Sequence, residues 1–195
     1  MIKRSFLNFI YISFCFVYTK IFFKKARLIR LPIDIRNKGK IDFGSNLTTG
    51  KNCRIEAYGS LKNINLTFGS NVELNDFVHI TASNRVIIGN NVLMASKIYI
   101  SDTSHGSYSG NENDSDPNTP PGLRLLHNSE VIIEDNVWLG ESVSVLPGVV
   151  IGKGTIVGAN SVVSRNLPCF VIAVGAPAKP IKKYNFKSQK WENIK

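Results

Sequence analysis

One histidine of three, His105, stands at the mouth of a long polar stretch, residues 102–130, rich in Ser, Asn, Asp, Pro and Gly. Loops of that length inside compact domains are usually functional. Imidazole titrates near neutrality, so His105 has the chemistry of a general base able to take a proton from an attacking hydroxyl. Asp102, three residues earlier, could orient the ring, as carboxylates do in other base–orienter pairs. His79 and His127 are weaker candidates: His79 falls at a position expected on the outside of the fold, and His127 lies near the loop's return. Cys15, Cys53 and Cys169 show no metal spacing and read as small hydrophobes in a reducing compartment.

What must position His105 is a six-residue repeat. The C-terminal half divides into IEDNVW, LGESVS, VLPGVV, IGKGTI, VGANSV and VSRNLP, beginning at Ile133. Position one is always aliphatic: Ile133, Leu139, Val145, Ile151, Val157, Val163. Position five is small or branched: Val137, Val143, Val149, Thr155, Ser161. The same register runs from Phe43, from Phe68 and from Ile88, with breaks at 59–67 and 102–130. A helix would place apolar residues three and four apart, and a β-sandwich would space its turns by about 8–12 residues; neither fits. Short strands joined by sharp turns do fit, with positions one and five pointing inward. Glycine at position two is expected to give the turn its freedom. Three strands make one triangular coil, and stacked coils bury a continuous aliphatic column.

The 195 residues carry a net charge of +10, concentrated at the ends. Lys3, Arg4, Lys20, Lys24, Lys25, Arg27 and Arg30 crowd the start, and Lys179, Lys182, Lys183 and Lys187 the end, while acids outnumber bases from Phe68 to Gly122. That split argues against a nucleic-acid stripe across the folded body. Residues 6–19 are apolar and aromatic. Lys20 stops the run short of a membrane span, and no small-residue cleavage site follows. An interfacial helix is favoured, giving residues 1–30 a membrane-surface contact; the bland alternative is a helix packed on the domain or on a neighbouring subunit.

The repeat resembles that of the hexapeptide-repeat acyltransferases, over roughly Ile41 to Lys183. The resemblance implies an all-β fold, a left-handed parallel β-helix with an N-terminal helix and a short C-terminal extension. Its segments would be 1–35 (helical), 36–183 (acyltransferase domain, with the loop at 102–130) and 184–195 (tail). SDTSHGSY is similar to the segment in which bacterial sugar O-acetyltransferases carry their catalytic histidine, which makes His105 the base. VWLG resembles the coenzyme-face motif, implying that Trp138 flanks the pantetheine and that the backbone after Gly140 lies near the thioester. Relatives often have Ser after this glycine; here Glu141 stands there and Ser142 follows. GANSVV implies that Ala159 meets the pantetheine amides, and GAPAKPIKKY that Lys179 and Lys182 hold the phosphates. Asn75 matches an acceptor-binding asparagine. The resemblance further implies acetyl-CoA as donor, no metal, a homotrimer with sites between subunits, and a cytoplasmic enzyme, peripheral at the inner face of the membrane. The acceptor it implies is a sugar hydroxyl in O-antigen or capsule assembly. Alternatives are a serine or amino-sugar acetyltransferase, a γ-type carbonic anhydrase needing three histidine ligands supplied across a subunit interface, and a non-catalytic binding module.

Overall fold

The computed structural model describes residues 6–59 and 63–194; Lys3, Arg4 and part of the first break lie outside them. Between Ile33 and Val174 the chain winds as a three-faced prism whose strands pair in parallel with the coils above and below. The first face is built from Ile41–Asp42, Leu66–Phe68, Val86–Ile88, Val131–Ile133 and Val150–Ile151. The second stacks Glu73–Leu74, Leu93–Met94, Trp138–Leu139, Ile156–Val157 and Val171–Val174. The third stacks Ile33–Arg36, Cys53–Ala57, His79–Ala82, Tyr99–Ser101, Ser144–Val145 and Val162–Val163. Each coil visits the faces in that order.

Positions one and five fill the core as the repeat requires. Ile133, Leu139, Val145, Ile151, Val157 and Val163 are fully buried, and so are Val137, Val143, Val149, Thr155 and Ser161. The two polar members are satisfied: the Thr155 hydroxyl donates to the Pro168 carbonyl at 2.7 Å, and Ser161 Oγ accepts the Gly175 amide at 3.0 Å.

The glycines act differently from expectation. The backbone freedom at the turns is used at position four, where φ is positive at Asn46, Asn52, Asn71, Phe77, Asn91, Lys97, Asn136, Ser142, Gly148, Gly154 and Asn160. Asparagine tolerates this conformation better than other side chains. Position-two glycines answer a different constraint, which is proximity: a Cβ on Gly152 would lie 2.5 Å from the Cys169 amide nitrogen in the next coil. Four of the position-four asparagines also stack, Asn46 donating to Asn71 at 3.1 Å, Asn71 to Asn91 at 3.0 Å, and Asn91 to Asn136 at 3.2 Å.

The ends are closed by other elements. A helix, Phe6–Phe22, crosses the base and lays Cys15 and Thr19 on the lowest coil, followed by buried Phe23, Ala26 and Ile29. Burial pushes the Tyr11 phenol up to about 12, and its hydroxyl donates to the Leu31 carbonyl. At the other end Lys179–Asn185 turns back antiparallel on Val171–Val174 and pairs with Lys190–Asn193, so part of 184–195 is a strand.

Candidate active site

The long loop leaves the prism at the edge between the third and first faces. Its stem is a two-stranded antiparallel ribbon, Thr103–His105 against Leu126–Asn128, with Ser104 opposite His127 and His105 opposite Leu126. Inside it, Asp114 accepts the Ser109 and Gly110 amides at 2.7 and 2.9 Å. Arg124 donates to the Thr119 carbonyl at 2.8 Å and to the Tyr108 hydroxyl at 2.7 Å, and that hydroxyl donates to the His105 carbonyl. The loop therefore has a shape of its own, around a cavity of about 600 Å³ lined by Ser107, Asn111, Ser115, Thr119, Arg124 and His127 among others.

His105 is exposed at the stem. Asp102 does not orient it. The Asp102 carboxylate is fully buried and accepts the amides of Ser83 at 2.8 Å, Asn84 at 2.7 Å and Arg85 at 2.7 Å, plus the Thr103 hydroxyl at 2.8 Å. Its work is to pin the corner below the loop. Among the described residues no carboxylate hydrogen-bonds the His105 ring.

A carboxylate–imidazole pair does exist elsewhere, on the outer surface of the third face. His79 Nε2 lies 3.0 Å from Glu56 Oε1, and Glu56 also accepts from Thr81, Tyr58 and Arg54 at 2.8 Å each. Burial opposes the charged carboxylate, but the bonds from His79, Thr81, Tyr58 and Arg54 outweigh it and hold its pKa at about 2. Strand alternation explains the cluster: Arg54, Glu56, His79 and Thr81 occupy the outward positions of neighbouring strands. Its signal in the sequence is the polar alternation of Arg54 with Glu56 and of His79 with Thr81.

The other predicted residues gather on the second face and its edge with the third. Trp138, about half exposed, heads an outward row of cross-strand neighbours, Trp138, Ile156, Ile172 and Lys182. Three strand spacings separate its ends, or about 14 Å. Gly140, buried at the edge, abuts the next coil. Asn75 sits on the same edge two coils below, its amide bonded to Met94 and that of Ala95 to Leu139. Lys179, opposite Val174, stands exposed at the same edge above. Ser142 takes the left-handed turn position, φ 59°, and its amide is bound to Ser96.

Between these lie two donors that the sequence did not single out as a pair. The amides of Gly140 and Ser142 are bonded, as are those of Gly158 and Asn160. Those of Glu141 and Ala159 have no acceptor among the described residues. At the equivalent turn position, Ser70, Asn90 and Lys153 have their amides capped by side-chain oxygens at 2.7–2.8 Å. Unbonded amides, an indole beside an aliphatic row and a terminal lysine have the chemistry to bind a pantetheine arm and its phosphates. Trp138, on the second face, and His105, at the edge between the third and first faces, are separated by the whole third face.

Residues 130–165 match the family described as bacterial transferase hexapeptide (six repeats). A protein of Escherichia coli K12 named as a lipopolysaccharide biosynthesis O-acetyl transferase, WbbJ, is 47% identical over 174 residues, 89% of this chain and 87% of its own. The chain belongs to the hexapeptide-repeat bacterial transferases. Relatives of this transferase are named for acetyl transfer, and it is an enzyme of that kind. The galactoside O-acetyltransferase of Lactococcus lactis is 33% identical across 70% of the chain, which spans 62% of that protein's length. AntD of Bacillus cereus, an N-acyltransferase solved with dTDP-4-amino-4,6-dideoxyglucose and coenzyme A, superposes with a TM-score of 0.68. It is 25% identical, over 85% of this chain and 84% of AntD. Among the described residues of the single chain no three His, Cys, Asp or Glu side chains converge as a metal site requires.

Proposed function

We propose that this transferase moves an acetyl group from acetyl-CoA to a sugar hydroxyl during surface-polysaccharide assembly, O-antigen or capsule. The observation that carries the reading is the pair of free amides at Glu141 and Ala159, beside the row that runs from Trp138 to Lys182. That row holds the pantetheine and places the phosphates on Lys182 and Lys179. The Glu141 amide faces the thioester oxygen as charge develops on it. His105 takes the proton of the acceptor hydroxyl as the oxygen attacks the thioester carbon; the C–S bond breaks, the imidazolium passes that proton to the departing sulfur, and coenzyme A leaves as the thiol. Asn75 and the polar wall of the loop cavity bind the sugar.

Because the third face separates His105 from Trp138 in one chain, the complete site needs a second copy. A homotrimer of left-handed coils, with His105 of one subunit facing Trp138 of the next, supplies it. The enzyme works in the cytoplasm, and its N-terminal segment holds it at the inner face of the membrane.

Coenzyme A release from acetyl-CoA with a panel of sugars, wild type beside His105→Ala, tests the reading. Release that needs a sugar and collapses in the variant supports it; release indifferent to both sinks it. The likeness to AntD favours one second reading, acylation of a nucleotide-linked amino sugar. A panel containing such a sugar separates the two by whether the product is an amide or an ester.

A further inference from the structure

The helix that closes the base of the prism has the wrong outer surface for a cap. A terminal cap of a stacked-coil protein normally turns a polar face to water. Here Cys15 and Thr19 face the coils, Tyr11 is tied to Leu31, and the opposite side carries Phe6, Leu7, Phe9, Ile10, Phe14, Phe16, Val17 and Ile21. These eight are between 49% and 76% exposed, and Ser13 and Lys20 are the polar positions among them. The core needs only the inner side, so packing within the chain gives no account of the outer one.

The surroundings say what covers it. Residues 1–33 hold seven Lys and Arg and no acidic residue before Asp34. Lys24 and Lys25, just past the helix, are exposed, while Arg27 pairs with Glu73 at 3.2 Å. A second copy meeting base to base would bring these cations against their own kind, whereas anionic headgroups neutralise them. The helix is 17 residues long, about 25 Å, short of the roughly 30 Å of a bilayer core, and no described helix is long and apolar enough to cross a membrane. It fits lying in the interface, aromatic side down.

We infer that the outward face of helix Phe6–Phe22 docks on an anionic phospholipid bilayer, with Phe9, Phe14 and their apolar neighbours inserted among the acyl chains and Lys24 and Lys25 on the headgroups. This deepens the membrane contact proposed above by naming the lipid charge and the inserting residues. It stands independently of the acyl-transfer reading. In a trimer whose axis follows the coils, three such helices would face one way and bind with added avidity.

The test is sedimentation of the full chain with vesicles of phosphatidylglycerol and phosphatidylethanolamine, beside vesicles of phosphatidylcholine alone. The expected result is strong partitioning to the first, weak to the second, and release by high salt. Phe9→Ser with Phe14→Ser should lower partitioning about tenfold or more, and so should Lys24→Glu with Lys25→Glu, while far-ultraviolet circular dichroism and melting stay as in the wild type. Equal binding to both vesicles would overturn the anionic docking. So would a wild type that ignores vesicles and doubles its mass by base-to-base pairing in light scattering. Because the readout is binding, an inactive enzyme that still binds leaves this inference standing, and an active one that does not bind refutes it alone.

Discussion

A Cβ placed on Gly140 would lie 2.6 Å from the amide nitrogen of Ala159. Both residues belong to the edge where two amides are left without protein acceptors, so the coil spacing there also sets the distance between those donors. Gly140→Ala must push the coils apart at that point. We expect a loss of about 1–3 kcal/mol in stability, read by urea unfolding, and a rise in KM for acetyl-CoA.

His105 projects from the loop stem into solvent and packs against nothing in the core. His105→Ala should leave the melting temperature unchanged and lower kcat/KM by about 10²–10⁴-fold. His79→Ala is the control: it removes a ring bonded to Glu56 and should cost stability while leaving most of the activity. The reverse pattern in coenzyme A release would move the base to His79.

Asp102 holds three consecutive amides from Ser83 to Arg85 in a site without solvent access. Asp102→Ala leaves those donors unpaired and should destabilise by about 3 kcal/mol. The loss will show as a lower melting temperature at fixed protein concentration. If Asp102 instead served the imidazole, the variant would lose turnover at unchanged stability.

Glu56 ionises at about 2 in the folded chain, against an ordinary value of 4.5. A carboxyl with a lowered pKa adds stability that is complete above the ordinary value and lost as pH falls toward the lowered one. Unfolding free energy should therefore decline between about pH 4.5 and pH 2, and Glu56→Gln should flatten that decline. The variant should also be less stable at neutral pH by about 1–3 kcal/mol. A wild type and variant with parallel acid limbs would contradict this.

The sequence made the inward positions plain because a buried aliphatic recurs at position one of every repeat from Ile133 to Val163. Outward chemistry was less legible, since it depends on which strands become neighbours across separations of about 20 residues or more. Glu56 meets His79 for that reason, and Asp102 meets Ser83–Arg85 rather than the histidine three residues away. Position-four asparagines recur at the same spacing as the position-two glycines, so spacing alone does not separate the residue that turns the chain from the one that lets neighbouring coils touch. The amides of Glu141 and Ala159 are reached in the sequence only through the motifs VWLG and GANSVV, because a backbone donor is the same in every residue.

The asparagine stack has a further consequence. Asn71 and Asn91 are separated by 20 residues and Asn91 and Asn136 by 45, yet each pair closes through the same amide bond, at 3.0 and 3.2 Å. The scaffold passes the excursion of residues 102–130 without a change of pitch. Such a loop behaves as a replaceable cassette: its length and lining can be rewritten, and on the proposed function the acceptor with them, while the coils keep their geometry.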